Sequence, residues 1–218
     1  MIDKFVSSLA DAMAGIRDGS TVLLAGFGPG MPEPLVHGLI EQGARDLTLV
    51  VNSGGRGEGP LADLLATGHV RKLVCSFVRG ASVAGHLHKA GRLDVEIVPQ
   101  GTLAERIRAA GAGVPAFYTP TAADTILADG REMRTINGRH CLLEHALPGD
   151  VALIEAWEAD RWGNLTHRDS ARNFNPIMAM AAALSIVMTR HVVELGAIPP
   201  ANVHTPGVFV HRVLHVPA

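Results

Sequence analysis

Gln100 stands where an amide can take part in a reaction. The stretch Val95 to Arg108, VEIVPQGTLAERIR, reads as a buried strand (Val95, Ile97, Val98) halted by Pro99, then a sharp turn at Gly101, then a helix opened by a capping box of Thr102 and Glu105. In an open parallel sheet the carboxyl ends of strands are where ligands bind, because loops diverge there and the free N–H groups of the following helix favour negative charge. A neutral amide in that place can donate to a carbonyl oxygen that becomes negative during a reaction. The alternative is that Gln100 only ties up loop carbonyls.

Two further loops belong to the same edge. Ala25 to Pro32, AGFGPGMP, follows the first strand, and its glycines let the backbone approach a bulky or anionic ligand. It is not the dinucleotide fingerprint. The glycines fall as G-x-G-x-G, Asp46 precedes the second strand where an acid should end it, and no Walker lysine follows. Asn52 and Ser53 end the second strand and can hold a carboxylate or carbonyl, or form an Asx-turn.

A nucleophile does not declare itself. There is no G-x-S-x-G elbow, Cys75 and Cys141 lack a local signature, Glu58 lies in a glycine loop, and Glu105 is committed to its cap. His86 and His88, two apart on a helix, face different ways and read as surface residues, so no metal is expected. A pocket without its own nucleophile implies that the missing group comes from another chain.

The elements that must position these residues alternate. A helix over residues 3–16 precedes strand Ser20 to Phe27, helix Pro32 to Gln42, strand Leu47 to Asn52, helix Leu61 to Ala66, strand Val70 to Phe77, helix Val83 to Ala90, strand Asp94 to Val98 and helix Leu103 to Ala110. Apolar strands taking turns with helices describe an α/β fold with an open, mainly parallel sheet covered on both faces. After Pro115 the pattern changes. Arg131 to Leu143 alternates about Asn137-Gly138 as an appended antiparallel hairpin. Strand Val151 to Trp157, a helix that Asn175 caps and Pro176 starts, and strands Leu184 to Val193 and Gly207 to Val216 complete one domain spanning 1–218.

Composition excludes several classes of function. A net charge of −2 offers nucleic acid or an anionic membrane no electrostatic footprint, and 4% aromatics argue against base stacking. No apolar run reaches the length of a membrane span, and the N-terminus lacks a signal-peptide core. A cytoplasmic protein with two reduced, buried thiols is expected. Hydrophobic residues at 47%, with mean hydropathy +0.21, point to surface buried against another chain.

The runs VPQGTLAERIRAAGAGVPAFYTPT, ADRWGNLTHRDSARNFNPIMAMAA and HTPGVFVHRV resemble the A (α) subunit of family I 3-oxoacid CoA-transferases, over nearly the whole chain. GRGEGPLADLLATGHVRKLVCSFVR is most similar to 3-oxoadipate:succinyl-CoA transferases, with acetoacetate and acetate enzymes as near relatives. The resemblance implies a partner, the B (β) subunit, in an α2β2 enzyme with its active site between the two kinds of chain. Coenzyme A is then a substrate rather than a cofactor. In that scheme a glutamate of the β partner attacks succinyl-CoA, and CoA passes through a glutamyl thioester to a 3-oxo acid. The resemblance assigns Ala25, Gly26, Phe27, Gly28, Pro29 and Gly30 to CoA contact, Asn52 and Ser53 to the substrate, and Gln100 to the reacting carbonyl.

Three loops depart from the family pattern. Ala25 replaces the first glycine of a loop that is shortened before Gly30, the segment after Phe77 is shorter, and Ala122-Ala123-Asp124 stands where glycine-aromatic-glycine is usual. Asp124 would repel a dicarboxylate if it faced the pocket; otherwise it is solvated or caps a helix. Two other readings are compatible with the residues: a non-catalytic CoA- or acyl-binding protein, and a lone acyl-CoA hydrolase using Glu58.

Overall fold

The structure, a computed structural model, describes residues 2–217. Its first half alternates as the pattern predicts. Strands β1 (Thr21–Leu24), β2 (Leu47–Val51), β3 (Val70–Cys75) and β4 (Asp94–Ile97) are interleaved with helices α1 (Leu9–Met13), α2 (Glu33–Gln42), α3 (Pro60–Ala66), α4 (Val83–Lys89) and α5 (Gln100–Gly111). Strands β5 (Ala116–Thr119), β6 (Met133–Ile136) and β7 (Arg139–His145) then make a small antiparallel sheet in the order β5-β7-β6. The chain returns through β8 (Gly149–Ala159), β9 (Leu165–Thr166), α6 (Asn175–Ala181), β10 (Ala182–Val192) and β11 (Arg212–His215).

The main sheet runs β11-β10-β8-β1-β2-β3-β4, with every neighbouring pair parallel, and β9 pairs antiparallel to β8. Its apolar strands serve two cores. Leu24, Leu49 and Leu73 pack towards Leu35, Leu39 and Leu64 on one face, whereas Leu23, Val50 and Val74 pack with Leu103, Ile107 and Met178 on the other. Successive side chains of a strand point to opposite faces, so burial on both sides demands unbroken apolar runs. The chain leaves β1 through β2 to β4, then comes back to β8 on the other side of β1. That reversal creates a crevice at the carboxyl ends of β1 and β8.

Several local expectations are corrected. Residues 3–8 are not helical: Phe5 bridges Val213 alongside β11, and Val6 N–H donates to Val213 O at 2.9 Å. The open edge of a strand recruits them, and Ser8, accepting from Asp11 N–H, starts the short helix instead. Gly207 begins a 3-10 turn, so β11 covers only part of the expected final strand. The Thr102–Glu105 capping box does not form, because α5 already begins at Gln100, with Gly101 helical, Thr102 buried within and Glu105 paired to Arg108. Asn175 is the first residue of α6 rather than its cap. The Asn137-Gly138 hairpin is present, both residues having positive φ, but β5 joins it as a third strand that the sequence pattern missed.

Candidate active site

The Ala25–Gly30 loop leaves β1 at the crevice, with Ala25 N–H bonded to Leu153 O of β8 at 3.1 Å. Its glycines have steric reasons. Gly26 (φ +113) would set a Cβ 2.9 Å from Met31 Cα, and Gly30 (φ +81) would set one 2.6 Å from Ala171 O and 2.8 Å from Asn175 Nδ2. Ala25, Gly26 and Gly30 are buried, so they shape the loop, while Phe27, Gly28 and Pro29 form its exposed tip.

Two asparagines hold that tip in place. Asn173 Nδ2 donates to Pro29 O at 3.0 Å, and the fully buried Asn175 donates to Gly30 O (3.1 Å) and Ala171 O (2.7 Å) while accepting from Glu155 N–H (2.8 Å). Every polar atom of the Asn175 amide is thereby used. Sequence reasoning missed both, since an asparagine beside Pro176 reads as a helix cap and local spacing carries no sign of a partner 145 residues away.

Gln100, in the first turn of α5, is exposed, and its Nε2 donates to Asn52 Oδ1 at 2.6 Å. Asn52 itself is only 3% exposed, so among the residues singled out it supports Gln100 from below, and Ser53 beside it is half-buried. Gln100 then lines an open cleft of about 220 Å³ with Phe27, Gly101, Asn173 and Phe174. The first-turn N–H groups of α5 lack carbonyl partners within the helix and lend the place positive character. An apolar cleft with an amide at one end and a backbone rim at the other suits a carbonyl compound whose oxygen gains charge.

The titratable groups around the cleft differ in state. Burial pushes the Cys75 thiol up to about 11, leaving it protonated and inert. Cys141 is likewise free and buried, and Glu58 is exposed on its loop. Glu155, half-buried at the far wall of the crevice, is a charge inside an apolar strand, and burial raises its carboxyl above the usual range against the opposing pull of Arg190. Asp124 is solvated, its carboxylate 3.1 Å from His140 Nδ1 on the hairpin. His86 and His88 are exposed on α4. Among the described residues no three His, Cys, Asp or Glu side chains are grouped to hold a metal, and no helix is long and apolar enough to cross a membrane.

A parallel α/β sheet with a glycine-rimmed, amide-lined cleft at its switch point defines an α/β protein with a ligand cleft at the carboxyl ends of its strands. Residues 6–215 match the family described as coenzyme A transferase, and the chain belongs to that family of CoA-transferring enzymes. It is 54% identical to the A (α) subunit of 3-oxoadipate CoA-transferase from Pseudomonas putida, over 99% of this chain and 95% of that one. It is 45% identical to the corresponding subunit of the probable succinyl-CoA:3-ketoacid coenzyme A transferase from Bacillus subtilis, over 97% and 89%. Glutaconate coenzyme A-transferase of Acidaminococcus fermentans shares the fold, with a TM-score of 0.85 over 98% of this chain and 76% of that one at 21% identity.

Proposed function

We propose that the chain is the α subunit of a heteromeric transferase that moves CoA from succinyl-CoA to a 3-oxo acid, 3-oxoadipate first and acetoacetate next. The observation that carries this reading is an exposed amide, Gln100, braced by Asn52 at an open cleft whose surroundings offer no activated nucleophile. The relatives, each named as one subunit of its enzyme, support a partner chain.

In the proposed reaction a glutamate of the partner attacks the thioester carbon of succinyl-CoA. The carbonyl oxygen becomes an oxyanion, and Gln100 donates its remaining N–H to it. CoA thiolate leaves and a succinyl-glutamyl anhydride forms; the thiolate returns to the glutamyl carbon and releases succinate. The acceptor carboxylate then attacks the glutamyl thioester, giving an acceptor–glutamyl anhydride and free thiolate, and the thiolate attacks the acceptor acyl carbon, forming its CoA thioester and releasing the glutamate carboxylate. Each tetrahedral intermediate draws on the same amide, in a cleft where a preorganised donor is worth more than in water. Phe27, Gly28 and Pro29 meet the CoA chain, Ala25, Gly26 and Gly30 fix the shape of that rim, and Asn52 with Ser53 supports the substrate side. No cofactor beyond CoA as substrate enters, and the complex is proposed as a cytoplasmic α2β2 enzyme of aromatic-compound or ketone-body metabolism.

Mixing tests the reading. The purified chain and its candidate partner are assayed singly and together for succinyl-CoA-dependent transfer to 3-oxoadipate and acetoacetate. Turnover only in the mixture supports it, absence of turnover in every case favours a non-catalytic acyl-binding protein, and hydrolysis by the solitary chain favours a self-sufficient enzyme.

A further inference from the structure

A second and larger cavity, about 420 Å³, lies between β4, the start of α5 and the small sheet. We infer that it is the subsite for the distal carboxylate of a dicarboxylic acyl group, anchored by Arg131; this rests on the CoA-transferase reading above. Its walls include Val98, Pro99, Arg106, Ala122, Ile126 and Arg131. Pro99, in its wall, directly precedes Gln100 in the chain, so this cavity and the Gln100 cleft flank the same turn into α5.

The charges along the cavity alternate and stop on a cation. Lys72 Nζ is 2.7 Å from Glu96, Glu96 is 2.9 Å from Arg106 Nη1, Arg106 Nε is 3.7 Å from Glu144, and Glu144 is 2.7 Å from Arg131 Nη2. At the Lys72 end the exposed Asp94 lies 4.0 Å away. At the other end, among the described residues, no carboxylate besides Glu144 comes within 4 Å of Arg131. The Glu144 side chain is 2% exposed, and no guanidinium N–H aligns with its Oε2, so these are ion pairs at close range rather than well-directed hydrogen bonds. A carboxylate so deeply desolvated has to be compensated, and it holds two arginines at the cavity wall in return. Arg131 is also braced by the Leu143 carbonyl at 3.2 Å, yet over a third of its side chain stays exposed.

An anion at Arg131 would extend the alternation by one member, and Ile97, Val98 and Leu127 provide apolar wall for intervening methylenes. The acids of the proposed reaction divide on this feature. The succinyl group and 3-oxoadipate each carry a carboxylate at the far end of a short chain, whereas acetoacetate carries none. Arg131 is thereby a specificity-determining residue that favours dicarboxylic acids.

The test compares kcat/KM for 3-oxoadipate and acetoacetate in the reconstituted complex of wild type, Arg131→Met, Arg131→Lys and Ile126→Asp. Arg131→Met should lower the 3-oxoadipate to acetoacetate ratio about tenfold or more, the size of a lost charged hydrogen bond, and Arg131→Lys should recover part of it. Ile126 is 84% exposed, so Ile126→Asp leaves the fold intact and should lower the same ratio by placing a like charge at the cavity mouth. A ratio within twofold of wild type for both Arg131→Met and Ile126→Asp overturns the inference. Failure of the wild-type complex to use either acid would count instead against the CoA-transferase reading. Calorimetry with adipate then decides the cavity alone: binding weakened by Ile126→Asp supports the subsite, and no binding refutes it.

Discussion

Gln100 Nε2 donates to Asn52 Oδ1 at 2.6 Å, joining the start of α5 to the end of β2 across 48 residues of sequence. An amide free to flip offers a carbonyl compound its oxygen as readily as its nitrogen. In this arrangement the NH2 side of Gln100 faces the buried Asn52 Oδ1. The remaining N–H of Gln100 is left for the cleft.

Gln100→Ala should lower turnover of the reconstituted complex about 100- to 1000-fold, the cost of one oxyanion donor, with little change in KM. Steady-state kinetics on both acids checks this, and a variant within twofold of wild type would refute the role.

Asn52→Ala removes the brace but not the donor. Its expected cost is about one hydrogen bond, roughly five- to tenfold in kcat, with KM moving less. A loss equal to that of Gln100→Ala would mean that Asn52 touches the reacting group itself.

Two glycines of one loop should respond differently to alanine. At Gly28 (φ +78) the new methyl group meets open space, so Gly28→Ala costs only the left-handed backbone penalty of about 1 to 2 kcal/mol. At Gly30 the same penalty is joined by overlap with Ala171 O and Asn175 Nδ2, and Gly30→Ala should lose about 2 to 3 kcal/mol and weaken CoA binding as the rim shifts. Urea unfolding, with the KM for succinyl-CoA, separates the two cases.

Acid should loosen the crevice through His167. Its neutral ring donates from Nδ1 to Glu155 O and accepts at Nε2 from Thr205 Oγ1, both at 2.9 Å, and burial pushes its pKa down to about 4. The unfolded chain, with an ordinary histidine, binds the proton first as pH falls. Stability is therefore full near neutrality and declines between about pH 6.5 and 4, by about 3 kcal/mol in all. His204 and His211, also lowered chiefly by burial, act in the same sense. Urea midpoints across that range should fall steeply for wild type and less steeply for His167→Gln; equal slopes would exclude His167 as the source.

Ala122 holds φ +66 in the loop that departs from the family pattern. Ala122→Gly removes a left-handed strain of about 1 to 2 kcal/mol and gives back part of it as unfolded-state entropy, for a net gain of about 0.5 to 1 kcal/mol. A raised melting temperature confirms this; a lowered one means that the methyl group packs usefully.

The open parallel sheet, the hairpin at Asn137-Gly138 and the placing of Gln100, Asn52 and the 25–30 loop at one edge were all legible from residue types. They follow from local rules: apolar runs bury on two faces, glycines and prolines punctuate them, and parallel strands bring their carboxyl ends together. Where an element starts was less legible. Thr102 and Glu105 have the form of a capping box, yet α5 starts three residues earlier because Thr102 and Leu103 are buried in the core beneath the helix.

Tertiary structure alone decided which residues serve as partners. Nothing local tells Asn175 to clasp Gly30, residues 3–8 to lie along β11, or Arg106 to reach Glu144. Each is a pairing between distant segments, set by which backbone or charged group is left unsatisfied once the sheet has closed over its core. The cost of burying an unpaired polar group then selects the partner. Local spacing, by contrast, reports only what a residue meets within a turn or two of its own chain.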